Sequence, residues 1–420
     1  MNMQQKIEAH QQPAMSEGRV ALLGALLVAI GPISMALFTP AMPELVHAFG
    51  TTDAAVKLTL SLYFAGFAIM QLICGPMADA YGRKPITLIF MGLYLAASLM
   101  ALFAPNIETL VVARMLQGCG GAVGVVISRA IVRDLFTNER SARIMNLMAM
   151  IIGIAPAIAP TMGGLVLEAA GWQTLFLMMA VAGLATIVVI HFAMVETGTY
   201  DPSRLRPRVI ARSYRSLLGD PYFMFASLIL AGGAGAMYTQ ATVLPFIIIN
   251  RLGLTPTQFG MGMMIQSLSF VAGSIVMRRL MVRFGAFRMV PFGLIFIAAA
   301  SIFLAVVLRT VEPSFLLVMA PAGIYAFGIA FTMPAMTTAS VAAYPHMAGS
   351  ASSMSGFLQF GGGLLGGLAA AAMGDPIIAL ATIVPAMGVV AVVSYLLWRR
   401  CPEPVMAKVI RPVVDEIPAP

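Results

Sequence analysis

The chain is predicted to be an all-α integral membrane protein, with twelve transmembrane helices in two pseudo-symmetric six-helix bundles. Three observations predict it. Hydrophobic residues make up 60% of the 420 and charged ones only 10%, where a soluble domain has about 25% charged; the mean hydropathy is +0.92. Uncharged runs of bilayer-crossing length, about 20 residues, recur from end to end. The basic residues gather in every second interruption between those runs, which is how cytoplasmic loops are marked. The net charge of +8 therefore does not read as a nucleic-acid-binding surface.

Uncharged runs fall at 20–43, 58–78, 85–107, 144–167, 169–195, 221–250, 252–277, 289–308 and 376–398, and a tenth, 109–128, is broken only by Arg114. The first is longer than the apolar core of a secretory signal, so it reads as a retained span. The stretch 313–374 carries no charge and is too long for one helix. Tyr344-Pro345-His346 is its natural cut, because proline disfavours helix at the residue before it. With the N-terminus inside, the inner segments hold 21 of the 25 basic residues and the outer ones only Lys57, Arg251 and Arg309. Both termini are thus expected to be cytoplasmic.

Residues 1–19 read as a cytoplasmic tail, 20–198 as the first bundle, 220–399 as the second and 400–420 as a second tail. Between the bundles, 199–219 reads as a cytoplasmic linker: Glu196 to Asp220 holds two prolines and five arginines with no apolar periodicity.

The turn after helix two is Gly75-Pro-Met-Ala-Asp79-Ala-Tyr-Gly82-Arg83-Lys84. A loop this short between membrane-length runs forces a hairpin of helices. It serves either topology alone or a cytoplasmic gate. About 200 residues on, Gly273 to Gly285 repeats the glycines and the basic residues, with Met277 in the place of Asp79. That spacing fits a duplicated six-helix unit. Ala159 and Gly163 beside Pro160, and Gly362/Gly366 with Gly363/Gly367, place small residues on one helix face for close packing.

Arg114 stands two turns into helix four. A guanidinium near mid-membrane costs at least about 2.5–3.5 kcal/mol unless it faces protein or water. It is either a substrate or proton-coupling group, or an anchor snorkelling to the outer interface. Gln117, Gly118, Gly120 and Gly121 follow it and leave room. No acidic residue falls at the middle of a run. Asp79 and Asp134, at inner helix ends, are either proton carriers or permanent partners of neighbouring arginines. Tyr63, Gln71, Tyr238, Gln240, Gln266, Tyr325 and Gln359, with 33 methionines, suit a cavity for bulky, mostly apolar ligands. Each also suits a helix–helix hydrogen bond. Three cysteines support neither disulfides nor zinc. No P-loop, GxSxG or HExxH occurs, so no enzyme activity and no cofactor or metal is expected. Transport would use an ion gradient or run downhill.

Gly75, Asp79, Gly82, Arg83 and Lys84 resemble, at every fixed position, the G-x-x-x-D-x-x-G-R-[RK] loop of the major facilitator superfamily. Arg114-Met-Leu-Gln117-Gly118 resembles that superfamily's R-x-x-Q-G motif. Ala159-Pro160-Thr-Met-Gly163-Gly164 is similar to its G-P-x-x-G-G antiporter motif, with alanine for the first glycine. Phe38 to Pro43 and Arg129 to Phe136 resemble the bicyclomycin/chloramphenicol-resistance group. The resemblance implies a twelve-helix drug:proton antiporter of the bacterial inner membrane, working as a monomer. Its partners would be a small-molecule substrate, protons and membrane lipid. It implies gating by the Asp79 loop and coupling through Arg114, Gln117 and Asp134. Ala36 stands where relatives often carry a helix-one aspartate, leaving Arg114 without that expected partner. A carrier of a metabolite such as a sugar or organic acid is the alternative on the same fold.

Overall fold

The computed structural model describes residues 15–136, 138–198, 207–402 and 404. Residues 1–14, 199–206 and 405–420, with Lys6, Arg204, Arg206, Lys408 and Arg411 of the charge count, lie outside the described residues.

Eleven described helices are long and apolar enough to cross a bilayer: α1 Glu17–Ala48, α2 Asp53–Tyr81, α3 Arg83–Leu102, α4 Ile107–Leu135, α6 Trp172–Ala193, α7 Pro221–Arg251, α8 Pro256–Phe284, α9 Ala286–Thr310, α10 Phe315–Val341, α11 Ala348–Met373 and α12 Pro376–Trp398. A further long helix, α5 Asn138–Ala170, makes twelve. The expected cut of 313–374 is present, with a tight turn at Pro345–Met347 between α10 and α11. In α1, Pro40 and Pro43 tighten the helix into one 3₁₀ turn at Thr39–Ala41 before it resumes. Alternation of direction puts Glu17, the Gly82 and Gly285 turns and Trp398 on one face, called here the terminal face.

One hydrophobic core is drawn almost wholly from α1–α6 and a second from α7–α12. The bundles meet chiefly through α2 against α11 and α5 against α8. The paired glycine rows of α11 explain the first contact. A Cβ on Gly366 would overlap Thr239 of α7, and one on Gly367 would overlap Ser61 of α2. The absent side chains let α11 wedge between two helices at once.

The stretch between the bundles is not wholly irregular, as its lack of periodicity had suggested. Pro207–Leu218 is a helix. Ile210, Tyr214 and Leu217 recur at i, i+4 and i+7, one helical stripe that the interspersed arginines conceal, and Leu217 is buried in the second core.

The two hairpin turns are built alike: Gly82 and Gly285 have φ of 97° and 82°, a conformation glycine adopts without steric cost. Their surroundings differ. Met277, in the place of Asp79, packs with Met289 and Phe331 in a small apolar cluster. The second copy has replaced charge with packing.

Candidate functional site

Arg114 is fully buried, so it does not snorkel. Its Nη1 donates to Gln117 Oε1, three residues on along α4, the neighbour spacing of a helix. Its Cζ lies 4.4 Å from the ring centres of both Phe38 (α1) and Tyr63 (α2). Desolvated cation–π contacts contribute about 2 kcal/mol each, the same order as the roughly 2.5–3.5 kcal/mol insertion cost. The two rings therefore offset the burial that a helix-one carboxylate would otherwise have to balance. Nε and Nη2 of Arg114 have no hydrogen-bond partner among the described residues. These two nitrogens share the edge of the guanidinium that binds two-oxygen groups side-on.

The network extends inward from Gln117, whose Nε2 donates to Ser98 Oγ of α3 at 2.7 Å and reaches Met179 Sδ of α6 at 3.4 Å. Tyr63 donates to the Gly31 carbonyl of α1 at 2.9 Å, and Tyr94 shares a hydrogen bond with Ser34. Five helices thus fix the arginine. Tyr63 also edges a cluster that crosses between the bundles. Phe64 and Phe67 of α2 meet Tyr238 of α7 and Phe360 of α11, with Tyr238 and Phe360 stacked at 4.9 Å and 13°. Phe64, Phe67 and Phe360 went unmarked in the sequence, because 24 phenylalanines, most of them in apolar runs, carry no distinguishing signal; Phe38 stood out only as the first residue of the Phe38 to Pro43 stretch. Only the i, i+4 placement of Tyr63 and Phe67 hinted at a shared face.

The other expected cavity residues divide. Gln240 Oε1 accepts from Gln266 Nε2 at 2.8 Å, both side chains buried, while Gln240 Nε2 has no partner among the described residues. Gln71 lies against Gly356 of α11, where a Cβ would overlap its amide. Tyr325 donates to the Gly232 carbonyl at 3.1 Å and Gln359 to Ser355 at 3.3 Å. Tyr325, like Gln240 and Gln266, makes the helix–helix bond that was the alternative reading, while the bond of Gln359 stays within α11.

At the terminal face, Arg83 is buried and bridges two carboxylates: Nη1 to Asp79 Oδ1 at 2.6 Å and Nε to Asp134 Oδ2 at 3.1 Å. Glu196, which the sequence marked only as the start of the stretch between the bundles, completes the cluster. Its oxygens accept from the backbone N–H of Arg83 at 2.8 Å and of Lys84 at 3.0 Å, capping the start of α3 where helix donors lack partners. A Cβ on Gly82 would meet Glu196 Oε2 at 2.7 Å, so glycine is required there twice over. Lys84 Nζ donates to the His191 carbonyl at 2.8 Å. These bonds tie α2, α3, α4 and the end of α6 together within the first bundle. A Cβ on Gly75 would touch both Val126 of α4 and Ser353 of α11, which puts this motif residue where the bundles meet.

The α5 motif is brought to the bundle contact on the opposite face. Ala159 is buried. A Cβ on Gly163 would overlap the Leu37 carbonyl of α1, and one on Gly164 the Pro256 carbonyl of α8. A Cβ on Gly260 of α8 would in turn meet the Pro160 carbonyl at 2.6 Å. Two backbones touch here, which only missing side chains permit.

Comparison with known proteins agrees with this architecture. An uncharacterized MFS-type transporter of Bacillus subtilis, YdgK, is 30% identical over 84% of this chain and 88% of its own. The multidrug resistance protein D of Escherichia coli is 26% identical over 83% and 88%, and a bicyclomycin resistance protein homolog of Haemophilus influenzae 27% over 88% and 93%. Among solved structures, a D-xylose-proton symporter superposes with a TM-score of 0.72 at 12% identity over 92% of this chain and 98% of that one. The family model described as Major Facilitator Superfamily matches residues 24–367. With that model spanning most of the length, the chain belongs to the major facilitator superfamily and is a membrane transporter, not an enzyme.

Proposed function

We propose that this transporter is a secondary active exporter of small, largely apolar drugs or antibiotics, phenicol- or bicyclomycin-like, working in exchange for protons. Bundles 20–198 and 220–399 rock about a central site, and the protein sits in a bacterial inner membrane with both termini cytoplasmic. The relatives named for multidrug, bicyclomycin and chloramphenicol resistance support the substrate class. The observation that carries the mechanism is the open Nε/Nη2 edge of Arg114 beside an aromatic cluster. A buried cation with two orphaned donors is poised for an acceptor it does not hold. A polar or anionic group of the substrate fills that edge, while Tyr63, Phe64, Tyr238 and Phe360 take its apolar body. In this reading Asp134 and Asp79 are the carboxylates that take up and release the proton, and Arg83, which pairs with both, stays charged throughout and only orients them.

Everted membrane vesicles test this. A phenicol is expected to accumulate and to dissipate a preformed pH gradient. Accumulation indifferent to an uncoupler would remove proton exchange and keep the exporter.

A further inference from the structure

On the face opposite the termini, two side chains of the first bundle reach helix ends of the second. Lys57, near the start of α2, is fully buried. Its Nζ donates to the carbonyls of Gly374 at 3.2 Å and Ala370 at 3.5 Å and lies 5.1 Å from the Phe246 ring of α7. Those carbonyls belong to the last turn of α11, which ends at Gly374 with φ of 72°. The end of a helix is a patch of partial negative charge whose carbonyls lack intrahelical donors.

Glu168, near the end of α5, does the reverse. Its Oε1 accepts from the backbone N–H of Thr257 at 2.9 Å, in the first turn of α8. Pro256 has no N–H to offer, Gln258 N donates to Thr255 Oγ1 and Phe259 N to the Thr255 carbonyl. The Thr257 donor is the one that this turn leaves over, and the other bundle takes it.

Each charge is therefore opposite in sign to the helix end it touches, and both contacts cross between bundles on the same face. Two carboxylates lie near Lys57: Asp53, one turn before it on α2, and Asp375, which is engaged elsewhere, capping α12 through Ile377 and Ile378 and pairing with Arg251 at 3.0 Å. The Thr39–Ala41 turn of α1 also touches α7 and α8 here, so the charges seal a face already in contact. We infer that Lys57 and Glu168 form a paired clasp, cation on the α11 C-terminus and carboxylate on the α8 N-terminus, that holds this face shut in one state of the transport cycle. Opening it exposes both helix ends to water, which solvates them in place of the side chains. The clasp is a positioning device that sets how the two states are populated, and it touches no substrate. It rests on the alternating-access reading above.

The test is distance measurement between spin labels in the full-length protein in lipid nanodiscs, with Cys401→Ser as background. One pair, Phe103→Cys with Val311→Cys, spans the clasped face. The other, Phe192→Cys with Phe284→Cys, spans the terminal face. All four side chains are exposed. Glu168→Gln should raise the open-to-closed ratio of the first pair roughly two- to fivefold, as for an exposed charge at a helix end, and Lys57→Met on the order of tenfold, as for a buried one. The second pair should narrow in step, which mere loosening of the fold would not produce. Glu168 is exposed, so its variant folds even where Lys57→Met does not. A distribution at the clasped face unmoved by Glu168→Gln, or widening of both faces together, overturns the clasp. A shift in populations without drug accumulation in vesicles would sink the substrate reading and leave the clasp standing.

Discussion

The Tyr214 phenol donates to the Leu72 carbonyl at 2.7 Å, in the place of the backbone donor that Pro76 lacks. Pro76 lies four residues after Leu72 within α2, so the helix leaves that acceptor empty. The helix joining the two bundles fills it, one turn before the Asp79 loop. The gap that Pro76 leaves in the α2 hydrogen-bond ladder and the docking of the connection are one feature.

Tyr214→Phe should therefore cost about 1–3 kcal/mol, the penalty for orphaning a buried acceptor, read as a fall in the thermal midpoint of the purified protein. Burial pushes the Tyr214 phenol up to about 12. Folded protein then holds a proton that the unfolded chain loses from pH 10 upward. The wild-type advantage should be complete below that pH and decline between pH 10 and about 12. A variant as stable as wild type at neutral pH would show that water replaces the phenol.

Asp79→Asn removes one of two anions on Arg83 and leaves Asp134 in place. Transport should slow while the set of substrates bound stays the same, checked by initial rates against equilibrium binding in the same membranes. A change in which substrates bind would argue against a gate.

Glu196→Ala strips the α3 start of its carboxylate cap, worth about 1 kcal/mol for a cap of this kind. Trypsin cleavage after Arg83 should quicken several-fold in inverted vesicles, the Lys84–Pro85 bond being resistant to trypsin. Unchanged cleavage would show that Asp79 and Asp134 alone hold the loop.

Gly164→Ala forces a methyl group into the Pro256 carbonyl. Overpacking of this kind costs about 1–3 kcal/mol, and rigid backbone on the far side prevents relief. The rate of transport should fall roughly five- to a hundredfold with normal membrane insertion. Gly285→Ala, a strained turn with nothing within 4 Å of the added carbon, should act on stability instead.

Most of the architecture was legible because the bilayer writes in composition: uncharged runs mark spans, and arginines mark their ends. The Asp79 loop and Arg114 stood out for the same reason, as charges where few are allowed. The linker helix was missed because its apolar stripe of Ile210, Tyr214 and Leu217 is diluted by three arginines. Glu196 and Lys57 were invisible as partners, since each acts on backbone groups, and backbone leaves no trace in sequence. The aromatic half of the site was hidden for the opposite reason: Phe64 and Phe360 look like any lipid-facing phenylalanine until α2 and α11 are brought together.

The central claim is that the open edge of Arg114 receives the substrate or its coupling group. Phenicol accumulation by everted vesicles should be lost in Arg114→Ala and in Arg114→Lys, with wild-type amounts of inserted protein, because lysine keeps the charge but offers no two-donor edge. Wild-type accumulation by Arg114→Lys would reduce the requirement to charge, and wild-type accumulation by Arg114→Ala would contradict the account.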